Sequence, residues 1–154
     1  MRVLVATSGA LDPGPTVALT GRLLVGGGTV TVMTAVQIAP GFRDELEDDD
    51  PNTQGADREL RRYVEERAAR ATERLVCAFE AAGYPTELRV VTDVEPTEAI
   101  RTVADDVEAD VVVVGATRPL FDQGAWESVS ARLVTTCTRP ILVIPAGALG
   151  RSAD

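Results

Sequence analysis

Gly115, Arg118, Ser128 and Ser130 lie in one short stretch between the apolar runs VVVVG and ILVIP, and their types and spacing suit anion binding. Residues 111–145 read as strand, loop, helix, strand, so the serines open a helix that faces the carboxyl end of a strand. A helix N-terminus offers unpaired N–H groups and the positive end of the backbone dipole. In open α/β sheets, phosphates and carboxylates are usually held at such a place. Close approach requires glycine, because bare amides must reach the oxygens. Gly115 meets that requirement, and Arg118 offers a charge-assisted contact of its own. Glu127 brings the opposite charge. Against a phosphate at ~4 Å it costs about 1 kcal/mol when solvated and about 4 kcal/mol at an effective dielectric of 20. Phe121 and Trp126 precede the helix and either stack on a base or a partner's side chain, or close over the site as a lid.

What is missing narrows the chemistry further. The chain has no His, and all fifteen of its basic residues are Arg. Ser-His-Asp and Cys-His catalysis, an imidazole metal site, a Walker loop with its Lys and a Schiff-base lysine are therefore ruled out. Cys77 and Cys137 lie far apart without CxxC spacing and read as two small buried hydrophobes in helical segments. A net charge of −9 repels nucleic acid and anionic membranes. No apolar run reaches the ~20 residues of a membrane span. The amino terminus has no signal-peptide pattern, so the expected location is cytoplasmic.

The elements that must position these residues alternate. Residues 3–7 read as a strand, 14–25 as a helix and 29–36 as a β-branched strand. Gly26-Gly27-Gly28 follows a helix instead of a strand, so it is a turn and not a dinucleotide fingerprint. Residues 37–53, with Pro40-Gly41, an acidic run at 44–50 and Pro51-Asn52, read as a flexible acidic loop without the spacing of a calcium loop. Leu60, Val64, Ala68, Ala71, Leu75, Ala78 and Ala82 form the apolar stripe of one long helix that Gly83 ends. A third strand over 87–92 follows. Pro96 opens a helix with the stripe Ala99, Ile100, Val103, Ala104 and Val107. Residues 111–114, apolar throughout, suit a central parallel strand covered on both faces. A helix over 128–137 and a strand over 141–144 complete the pattern. Such alternation implies one α/β domain: an open, mostly parallel five-stranded sheet with helices on both faces, spanning 1–146 with a tail at 147–154.

From VLVATSG to PILVIP the chain resembles the universal stress protein family. The likeness rests on segment order, the variable segment after the second strand, PTEAI opening a helix, the glycine after the fourth strand, SVS opening the next helix, and RPILVIP. It implies a sheet order of 3-2-1-4-5 and a small cytoplasmic stress-response protein without enzymatic activity that forms a homodimer through its last strand. Ile141 and Val143 lie at the centre of that interface, and an unidentified protein partner is expected as well. Some members bind ATP at a loop that runs glycine, two residues, glycine, nine residues, glycine, then serine or threonine. Here Gly115 and Ser128 match that loop, Arg118 stands at the second glycine, and Glu127 stands at the third, one residue early. The family's adenine- and ribose-contacting Asp is Ser8 in this chain, and Ala35 matches a position whose backbone meets the adenine. The candidate pocket is thus Ser8, Ala35, Gly115, Arg118, Ser128 and Ser130, at the carboxyl ends of strands 1 and 4. Three uses of it stay open. In the first, Glu127 fills the anion site itself, worth ~0.3–1 kcal/mol from the dipole, and no cofactor is held. In the second, a modified site senses AMP, ATP with Mg²⁺ or a cyclic nucleotide, and in the third ATP binds as in the family. Hydrolysis of adenine nucleotides is a further alternative, for which no residue set can be located.

Overall fold

The structure, a computed structural model, describes residues 1–49, 53–116 and 129–145. Its ten elements run β1 (Arg2–Ala6), α1 (Pro13–Leu23), β2 (Thr29–Val36), α2 (Pro40–Asp49), α3 (Thr53–Ala81), β3 (Thr86–Thr92), α4 (Pro96–Asp106), β4 (Val111–Gly115), α5 (Val129–Thr136) and β5 (Ile141–Ile144). The strands pair in parallel in the order β3-β2-β1-β4-β5. This is the expected topology, with chain direction reversing its course across the sheet between β1 and β4.

Alternation along the strands builds two cores. Val3 and Val5 of β1, Val30 and Val32 of β2 and Val111 and Val113 of β4 point to one face. There they meet Leu24 beyond α1, and Leu75 and Phe79 of α3. Leu4, Ala6, Met33, Val112 and Val114 point to the other face, against Ile100 and Val103 of α4 and Leu133 of α5. The uniformly apolar central strands are thus explained by burial on both sides.

Several local expectations are corrected. The segment 37–53 is not one loop, since α2 occupies Pro40–Asp49 and α3 already begins at Thr53. Pro40 fits a first helical position. Phe42 stacks on Tyr63 of α3 with ring centroids 4.6 Å apart, a tertiary contact that local composition does not announce. The buried stripe of α3 runs through Ala68, Thr72, Leu75 and Phe79, whereas Ala82 is exposed beyond the helix end. Cys77 is exposed and Cys137 only half-buried, so neither is the buried hydrophobe expected. Cys77 is two residues from both Leu75 and Phe79, which at 100° per residue turns it away from the sheet. Leu23 ends α1, and Val25 is 86% exposed in the turn that follows.

Gly27 takes φ +87° in that turn. At Gly28 a Cβ would lie 2.0 Å from the Met1 carbonyl oxygen and 2.7 Å from Leu24 Cδ2. Gly27 therefore serves the turn and Gly28 the close packing at the amino end of the sheet. Gly9 packs on Ala71 just past β1, so the residues of α3 before Ala71 stand beyond the carboxyl end of that strand.

Candidate functional site

The carboxyl ends of β1, β2, β4 and β5 surround a cavity of about 560 Å³. Its volume falls in the ~300–1,000 Å³ range of small-molecule sites, and it opens at the switch point between β1 and β4, where α/β sheets bind ligands. Leu11, Met33, Ile100, Val114, Val129 and Ile144 give it mostly apolar walls. Thr7, Ser8 and Thr34 add hydroxyls, and Asp12 adds a carboxylate. Gly115 ends β4 where a Cβ would come within 3.2 Å of Leu11 Cδ2, so the missing side chain lets Leu11 close that wall.

Helices α1, α4 and α5 begin at the rim, and the first two cap themselves with a carboxylate. At α1, Asp12 Oδ1 accepts from the Gly14 amide at 3.2 Å, and the Thr16 amide donates to the Asp12 carbonyl at 3.2 Å. Pro13 and Pro15, flanking Gly14, have no N–H to offer. At α4, Glu95 Oε2 accepts from the Glu98 amide at 3.2 Å, and the Ala99 amide donates to the Glu95 carbonyl at 2.9 Å. Pro96 occupies the first position of α4. Arg132 of α5 reaches Glu95 Oε1 at 2.9 Å, which ties the starts of α4 and α5 together beside the cavity. Burial pushes the Glu95 carboxyl up, but the Thr97 and Glu98 amides and then the Arg132 guanidinium outweigh it, and the group stays below its ordinary range.

Of the six residues singled out in the sequence, Ser8, Ala35 and Gly115 line this cavity. Ser130 is buried in the first turn of α5, and its neighbour Val129 forms the wall from that helix. Arg118 and Ser128 lie outside the described residues, as do Phe121, Trp126 and Glu127. Sequence reasoning missed Asp12, Thr7 and Thr34. Asp12 did carry a signal, since Asp followed by Pro at the start of an apolar-periodic segment is a helix N-cap pattern. Thr34 had none, because a threonine in a β-branched strand looks the same whether it faces a core or a cavity.

The profile of the Universal stress protein family matches residues 1–145. The chain belongs to that family. Among solved structures this universal stress protein is similar to one in complex with cAMP, at 21% identity and a TM-score of 0.58 over 95% of this chain and 97% of that one. It is similar to one from Archaeoglobus fulgidus at 21% identity and a TM-score of 0.59, over 94% of this chain and 93% of that one. A family member from Arabidopsis thaliana with AMP bound matches at 17% identity and a TM-score of 0.58, over 100% of this chain and 97% of that one. No curated protein sequence matches. Among the described residues, no helix of this universal stress protein is long and apolar enough to cross a membrane.

Proposed function

We propose that this universal stress protein is a non-catalytic, cytoplasmic stress-response module that binds a small adenine-type ligand in the carboxyl-edge cavity without holding ATP tightly. The observation that carries the reading is the cavity itself, at the switch point of a family sheet and walled for a flat apolar ring. Solved relatives are described with AMP, cAMP and, for Archaeoglobus fulgidus, dAMP. Weak ATP binding is supported by Ser8 at the end of β1, where a carboxylate would meet adenine and ribose, and by Arg118 and Glu127 in place of loop glycines. A lack of catalysis agrees with a chain that has neither His nor Lys.

Thermal shift and isothermal titration test this. At a concentration of ~100 times its Kd, a bound adenine compound stabilises the protein by about 2.7 kcal/mol. If no adenine compound moves the transition, the ligand reading fails. A low-micromolar Mg-ATP constant would overturn weak ATP binding.

Self-association through β5 belongs to the same proposal. β5 is an edge strand whose Val143 is 36% exposed, on a sheet face where Val134 of α5 is 62% exposed. Pairing two copies satisfies both backbone edges and buries both apolar surfaces. Val143→Asp sets two like charges near the two-fold axis and should give a monomer in light scattering. A wild-type protein already monomeric at tens of micromolar, where a micromolar dimer worth ~8 kcal/mol would be assembled, rules the interface out.

A further inference from the structure

We infer that β3, the sheet edge opposite β5, recognises a second copy of this chain and pairs with it antiparallel about a two-fold axis at Leu88. Hydrogen-bond parity sets which groups of β3 face outward. The Val30 amide donates to the Pro85 carbonyl at 2.9 Å, and the Asp93 amide donates to the Val36 carbonyl at 3.0 Å. Between those points β3 pairs with β2 in continuous register, from Thr86 against Val30 to Thr92 against Val36. Bonding to one neighbour recurs at every second residue of a strand, so Glu87, Arg89 and Val91 turn their backbone groups to β2. Thr86, Leu88 and Val90 turn theirs outward, along the edge. Leu88 is 46% exposed and Val90 39%, so the edge also presents apolar side chains that a partner strand would cover.

Charge decides both the occupant and the register. Glu87 and Arg89 are exposed on the face of β3 opposite Leu88. When Leu88 lies across from its own copy, Thr86 faces Val90, and Glu87 of each copy faces Arg89 of the other. Leu88 is then a hydrogen-bonded pair. Glu87 and Arg89 fall at the intervening positions, where Cα atoms approach to ~4.5 Å and side chains are closest. Opposite charges placed across strands attract there, and like charges repel. The neighbouring registers lose this match. Centring on Glu87 or Arg89 sets that residue against its own charge, and centring on Val90 sets Glu87 against Asp93. Centring on Thr86 sets Glu87 against Pro85 and Arg89 against Gly83. A slip of one residue pairs outward groups with groups already bonded to β2. The pattern is thus complementary to itself, as a two-fold contact requires. One short strand buries less than the ~1,200 Å² of a stable complex, which sets a dissociation constant of roughly 0.1–1 mM. β3 and β5 are opposite edges, so the two contacts together would extend one sheet from copy to copy without closing.

Sedimentation velocity of the full chain carrying Val143→Asp tests this with the β5 contact removed. This parent variant should be a monomer at ~20 µM and shift towards a dimer by ~1 mM. Adding Glu87→Arg, or Arg89→Glu, sets like charges across the axis and should weaken association about tenfold or more. An equimolar mixture of those two variants places a cation opposite a carboxylate at both positions. It should dimerise as the parent does, a recovery that a merely structural role for either residue would not produce. A parent that stays monomeric up to ~1 mM overturns the inference, and the edge then serves other strands or none. Charge variants that associate as well as the parent, or a mixture that does not recover, overturn it too. None of these outcomes bears on the cavity reading or on β5.

Discussion

The two ends of this sheet are built to opposite specifications. At the amino end, backbone packs on backbone. The Thr29 amide donates to the Met1 carbonyl at 3.0 Å, the Val30 amide to Pro85 at 2.9 Å and the Asp110 amide to Arg2 at 2.8 Å. The Arg2 amide donates to the Asp110 carboxylate at 2.6 Å, and Gly28 leaves no room for a side chain. At the carboxyl end the strands stop short of a 560 Å³ cavity. The sheet is secured at one end, which frees the other to leave apolar surface uncovered for a ligand. Stability and binding should therefore separate in mutants along this axis.

The largest effect is expected where the closed end meets the core. Phe79 is fully buried and stacks edge-on against Tyr84, with ring centroids 6.3 Å apart, as the chain turns from α3 to β3. Phe79→Ala should cost about 3–5 kcal/mol in urea unfolding; a loss below about 1 kcal/mol would mean this end is less tightly packed than the contacts imply. Gly28→Ala comes next at about 1–3 kcal/mol, because its Cβ meets the Met1 carbonyl and Leu24 and something must shift. At the open end the order reverses. Ala35→Leu projects into the cavity, so stability should change by less than about 1 kcal/mol while adenosine binding falls tenfold or more. If the same variant unfolds the protein and binds normally, the contrast between the two ends collapses.

The smallest effect concerns pH. Glu95 is held below its ordinary value of 4.5, so its contribution to stability is complete above that value and fades as pH falls through the lower folded-state value. Its side chain is 40% exposed, so solvent screening limits the pair with Arg132 to about 0.2–1 kcal/mol. Glu95→Gln should flatten the acid limb of the stability profile by that amount and leave stability at pH 7 lower. An unchanged acid limb would show that the cap and the ion pair carry no differential charge energy.

Much of the molecule was legible before any coordinates. The apolar run VVVVG, the spacing of strands and helices, and PTEAI and RPILVIP in order specified an α/β sheet and its family, because burial on two faces and helix starts leave local marks. Composition alone removed histidine and lysine chemistry. Tertiary structure decided what depends on partners distant in sequence. A helix forms at Pro40–Asp49 in a segment that composition reads as loop, and there Phe42 finds Tyr63. Cys77 faces water because the sheet lies on the other side of α3. Asp12 reaches the cavity wall only once α1 is set beside the ends of β1 and β4. Local sequence encodes which residues prefer which backbone, but a cavity is the space left between elements, and its lining is fixed only when the whole sheet has assembled.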